Sequence, residues 1–139
     1  MQIYVCIKNV PDSAANIAIK DGRSIDENVA FLLNPYDEHG LTEAVRLKKQ
    51  IPDSEIIAVC LGKKEAEKTV RSALAMGADR GILVQSHGGF DSMATARILK
   101  TAIEQDGKPD LIFTGKESID CEGMQTMFRL GARFGFPVV

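Results

Sequence analysis

Between positions 115 and 126 the chain runs Gly115, Lys116, Glu117, Ser118, Ile119, Asp120, Cys121, Glu122, Gly123, Met124, Gln125, Thr126. This stretch is polar and holds groups that can bind an anion and a sugar. An apolar run at 110–114 precedes it, and Met127, Leu130, Gly131 and Phe134 follow at the spacing of one helix face. Open α/β sheets take their ligands at loops of this kind, where the C-terminal end of a strand leads into a helix N-terminus. The first N–H groups of the helix have no partner within it and carry partial positive charge, so they suit a phosphate. The loop therefore reads as the floor of a nucleotide site, with the amides of Met124, Gln125 and Thr126 and the Thr126 hydroxyl as phosphate donors.

Micromolar affinity needs about 8 kcal/mol, of which a helix dipole supplies at most about 2 kcal/mol. Direct hydrogen bonds and a buried base must supply the rest. In a parallel sheet the C-terminal ends of runs 2–8, 55–61 and 110–114 open on one edge. That edge collects Cys6, Val59, Leu61 and Gly62, with Asn34 emerging nearby. Extended backbone at Cys6 and Val59 can meet an adenine edge, and Gly62 permits close approach. Each residue also has a plainer reading. Cys6 and Cys60 read first as small buried residues, ahead of any redox or metal role. Asp120 and Glu122 either face solvent or bond ribose hydroxyls, and Asn34 either caps a helix or touches ligand.

Other chemistries find no support. The chain has no G-x-x-x-x-G-K-[ST], no G-x-G-x-x-G and no G-x-S-x-G. No nucleophile stands with a base, so no catalytic residue is expected. His39 and His87 lack metal-ligand spacing and are expected at the surface. The three cysteines are too few and too widely spaced for a disulfide framework, which points to a reducing, cytoplasmic setting. A net charge of −2 gives no reason to expect nucleic acid. No apolar run reaches membrane-spanning length, so no direct membrane insertion is expected.

The elements that must carry these residues follow from periodicity. Residues 2–8 and 55–61 are apolar, β-branched strands, and 81–84 is a third. Asp21 and Gly22 mark a hairpin between Ile17, Ile19 and Ile25, an insertion after the first strand. Pro35 opens a helix with Asp37 and Glu38 in its first turn and Leu41, Ala44 and Val45 on its buried face. Ala66, Val70, Ala73, Leu74 and Gly77 form the stripe of the next helix. Asp91 caps a further helix that Gly107 ends, and His87-Gly88-Gly89 reads only as the loop before it. Alternating strands and helices imply an α/β fold with a doubly wound, mainly parallel sheet in one domain, 1–139. Residues 136–139 read as the opening of another strand, so the chain is expected to be part of a longer polypeptide.

At these residues the chain resembles the β-subunit of electron transfer flavoprotein, the family that includes the FixA proteins. The likeness runs through positions 5–12, 34–38, 43–48 and 73–82, then Asp110, Leu111, Ile112, Gly115, Lys116, Ile119, Asp120, Gln125 and Thr126. It implies a Rossmann-like sheet of the adenine-nucleotide-binding type. It also implies a heterodimeric electron carrier rather than an enzyme, in which an α-subunit holds the redox-active FAD. The complex would pass electrons from dehydrogenases to a membrane or ferredoxin-type acceptor. The β-subunit would bind AMP, or a second FAD in bifurcating members. Carried over by residue, the contacts are Cys6, Asn34, Val59, Leu61, Asp120, Gly123, Gln125 and Thr126, with Cys121, Glu122 and Met124 at further loop positions. Two features depart from the family: the middle of the loop, Cys121 to Met124, and the shorter chain. The alternative is a stand-alone adenine-nucleotide sensor resembling universal stress proteins, whose usual G-x-x-G-x₉-G-[ST] loop is missing here.

Overall fold

The computed structural model describes residues 1–139. Strand β1 (Gln2–Ile7) is followed by β2 (Asn9–Pro11), β3 (Ile19–Lys20), β4 (Ser24–Ile25) and β5 (Phe31–Leu33). Helix α1 (Pro35–Gln50), β6 (Glu55–Gly62), α2 (Glu67–Met76), β7 (Arg80–Gln85), α3 (Ser92–Asp106), β8 (Leu111–Thr114) and α4 (Thr126–Phe134) complete the order. The main sheet has four parallel strands in the order β7-β6-β1-β8. The chain winds outward from β1 through β6 to β7, then returns across the sheet to β8. The winding direction reverses between β1 and β8, and such a switch point opens a crevice at the carboxyl ends of the strands.

The two central strands are apolar on both faces because both faces are covered. Side chains alternate along a strand. Ile3, Val5 and Ile7 of β1 and Ile56, Ala58 and Cys60 of β6 therefore pack with Leu41, Ala44, Val70 and Ala73 of α1 and α2. Tyr4, Cys6, Ile57 and Val59 project oppositely, against Ala96, Leu99, Ile103 and Leu130 of α3 and α4. Cys6 and Cys60 thus belong to different layers, and both are free thiols. The doubly wound α/β architecture expected from the sequence is the one observed.

Local signals explain the element ends. Pro35 starts α1, with Asp37 and Glu38 in its first turn and Lys48 and Lys49 in its last. The Asp91 carboxylate accepts the Ala94 N–H at 2.7 Å and caps α3. The expected hairpin is β3–β4, turning through positive φ at Asp21 and Gly22. At its base lies an antiparallel ribbon, β2–β5. His39 and His87 are exposed.

The tail differs from expectation, because residues 136–139 form no strand. Gly135 ends α4 in the left-handed region, φ 69°, and the Phe136 N–H returns to the Gly131 carbonyl at 2.9 Å. Val138 then lies over Gly131, where a Cβ would overlap its side chain. No helix is long and apolar enough to cross a membrane.

Candidate functional site

A cleft of about 590 Å³ lies at the switch point, within the range of small-molecule sites. Its walls are the strand ends at Cys6, Ile7, Lys8, Leu61 and Gly62, the 114–127 segment, and residues from Ser86 to Thr95. A second hollow of about 610 Å³, between β7 and α3, is more open and receives no loop from a strand's carboxyl end. The chemistry converges on the first.

Helix α4 opens into this cleft without a side-chain cap and without an acidic residue in its first turn. Its leading N–H groups stay available to an anion. The loop before it is tightly bent, with Glu122 and Met124 in the left-handed region at φ 50° and 47°. Polar contacts hold its first half. Asn34 occupies the N-cap position of α1 but makes no cap bond. Instead its Nδ2 donates to the Glu117 carbonyl at 2.8 Å and its Oδ1 accepts the Ile119 N–H at 3.2 Å. Lys8 Nζ lies 2.6 and 2.8 Å from the Asp120 carboxylate oxygens and 3.1 Å from Ser118 Oγ. Burial pushes the Asp120 carboxyl up, but the Lys8 and Ser118 contacts win and hold it below its ordinary range. Lys116 pairs with Glu117 at 3.1 Å and lies over the Tyr36 ring.

At the cleft floor Asp37, 6% exposed, accepts the Lys8 N–H at 2.8 Å and the Gly115 N–H at 2.9 Å. Burial raises its pKa to about 6, against the opposing pull of the Asn34 amide, the two backbone donors and the Lys8 ammonium. Burial likewise pushes the Cys6 and Cys60 thiols up to about 12, so both stay neutral fillers.

Among the residues singled out in the sequence, Cys6, Asn34, Leu61, Cys121, Gly123, Met124, Gln125 and Thr126 line the cleft. Val59 is fully buried in mid-strand between β1 and β7, and its side chain belongs to the α3 and α4 layer. Asp120 stands behind Lys8, and Glu122 faces solvent. Sequence reasoning put the segment with Lys8 at this edge without giving Lys8 a role, and it missed Asp37 and the segment with Ser86, Gly88, Gly89, Phe90, Asp91 and Ser92. The missed signal was topological. In a parallel sheet the C-terminal end of β7 must open on the same edge as the others, so His87-Gly88-Gly89 belonged to that edge too.

A parallel α/β sheet with a polar cleft at its switch point defines the class of Rossmann-like, doubly wound folds. The electron transfer flavoprotein domain matches residues 23–139, and the chain belongs to that family. It is 40% identical over 138 residues to the electron transfer flavoprotein subunit beta of Bradyrhizobium diazoefficiens, covering 98% of this chain and 55% of that one. The Dictyostelium discoideum subunit beta is 39% identical over 139 residues, with 99% and 55% covered. The caffeyl-CoA reductase-Etf complex subunit CarD of Acetobacterium woodii is 37% identical over 142 residues, with 100% and 54% covered. The chain thus spans about half the length of the curated relatives it matches.

Proposed function

We propose that this chain is the nucleotide-holding part of a heterodimeric flavin electron carrier. An adenine nucleotide occupies the switch-point cleft, and a partner resembling the electron transfer flavoprotein α-subunit carries the redox-active FAD. The complex takes electrons from dehydrogenases and delivers them to an acceptor, and this chain itself catalyses no reaction. The observation behind the reading is the uncapped start of α4 opening into a cleft at the reversal of strand order. Family membership supports the electron-carrier role, and no comparable observation favours a stand-alone nucleotide sensor.

AMP is the first reading of the ligand. A second FAD is the other, favoured by one observation: the cleft continues from α4 to the segment between Ser86 and Thr95 and offers room beyond a mononucleotide. Chromatography of nucleotides released from the denatured, intact complex tests both. AMP and FAD in roughly equal amounts supports the first reading, and two FAD per complex without AMP supports the second. A complex that releases no nucleotide beyond a partner-bound FAD overturns the proposal.

A further inference from the structure

The hydrogen-bonded ladder between β1 and β8 ends at Cys6 and Thr114. Just beyond it the strands part, and one carboxylate bridges the gap. Asp37 Oδ2 takes the Lys8 N–H and Oδ1 takes the Gly115 N–H. Gly115 is a glycine for a steric reason, since a Cβ there would overlap Asp37 Oδ1 and lie 2.9 Å from the Tyr36 carbonyl carbon. The 115–125 loop leaves the sheet at Gly115, and its far end sets the start of α4.

We propose that Asp37 is a positioning residue of the nucleotide site: its carboxylate fixes the point where the 115–125 loop departs and so aims the α4 amides at the ligand's phosphate. This rests on the nucleotide reading of the cleft. Only a carboxylate matches two inward N–H donors, because an amide has one acceptor and would turn its NH₂ toward the other donor.

The energetics separate this role from a structural one. The charged groups facing Asp37 are few: the Lys8 ammonium, with the neutral Cys6 and Cys60 thiols from β1 and β6 and the Asn34 amide from the turn into α1. Burial outweighs them, so the folded protein holds a proton on Asp37 more tightly than the unfolded chain does. The ionised form therefore works against the fold at neutral pH while it holds the loop. A group kept at a cost to stability, in the floor of a cleft, is the expected signature of a functional position.

The test is Asp37→Asn in the intact protein at pH 8, with AMP and FAD as calorimetric probes. We expect affinity for the bound nucleotide to fall at least about tenfold, the loss of one charge-assisted hydrogen bond. The urea midpoint should hold or rise, and amide exchange across 115–125 in nucleotide-free protein should quicken by a similar factor while β1 and β6 stay protected. In the wild type the Lys8 and Gly115 amide resonances should titrate together near pH 6, and in the variant they should not. Unchanged loop exchange, or a parallel fall in midpoint and affinity, overturns the assignment. If the wild type binds neither AMP nor FAD, the nucleotide reading fails by itself, and the exchange and resonance measurements still decide whether Asp37 holds the loop.

Discussion

The two ends of the main sheet use the same residue types for opposite purposes. At the amino ends of the strands, Arg80 reaches Glu55 and Asp106, each at 2.7 Å, and the Tyr4 hydroxyl donates to Asp106 at 2.7 Å. Asp79 takes the Ile56 N–H at 2.7 Å and pairs with Lys48. The Arg80 guanidinium and the Tyr4 hydroxyl hold the Asp106 carboxyl below its ordinary range against the upward push of burial. For Asp79 burial again pushes up, and the Ile56 N–H and Lys48 together overcome it. At the carboxyl ends, Asp37 has ligands of similar number, yet its pKa is raised because burial there is nearly complete. The carboxylates at the closed end support the fold, whereas Asp37 at the open end opposes it and shapes the cleft.

The sharpest way to break this contrast is the pH dependence of stability. The Asp37 pKa is raised from 3.8 to about 6, so its contribution to stability is fully present below about 3.8 and is lost as pH rises through about 6. Asp79, Asp106 and Asp120 have lowered values, so their contributions are lost as pH falls. Comparing wild type with Asp37→Asn isolates the first effect. The variant should gain about 2.5 kcal/mol on the wild type between pH 4 and pH 8, read by urea unfolding. A difference independent of pH would show that Asp37 titrates like an exposed carboxyl.

Thr126→Val probes the open end through its ligand. Removing the hydroxyl should weaken nucleotide retention by about 1.5–3 kcal/mol, or roughly ten- to a hundredfold, while the thermal midpoint stays put. Tyr4→Phe is its counterpart at the closed end. It should lower stability by about 1.5 kcal/mol, since Asp106 keeps Arg80, and leave nucleotide content unchanged. If nucleotide loss followed Tyr4→Phe, the ends would not be independent. The smallest effect is expected from Met124→Gly. Relief of the left-handed backbone, offset by glycine's entropy, should stabilise by about 0.5–1 kcal/mol in denaturant titration.

The layout of the fold was legible because its signals are local. Residues 2–7 and 55–62 are apolar on both faces, Asp91 and Gly107 bracket α3, and Asp21 with Gly22 makes a turn. The β2–β5 ribbon escaped notice because three-residue strands, one ending in Pro11, leave no period to read. The site was legible on one side only. An acidic residue in a first helical turn reads as a complement to the helix dipole, so nothing local sets Asp37 apart from Glu38. Its role comes from amides 29 and 78 residues away. The Lys8–Asp120 pair, 112 residues apart, is hidden for the same reason. Val59 was named for its extended backbone and by the family resemblance, and its buried side chain neither supports nor excludes a backbone contact. The sheet continues past it to Gly62.

The distribution of sulfur has a practical consequence. Cys60 is sealed and Cys6 is buried at the cleft floor in the other layer, while Cys121 is exposed in the cleft wall, 3.6 Å from the Lys8 ammonium. These 139 residues therefore carry one exposed thiol open to a maleimide dye, placed where an arriving ligand must alter the dye's surroundings. Fluorescence of a dye at Cys121 would follow occupancy in real time without any engineered substitution.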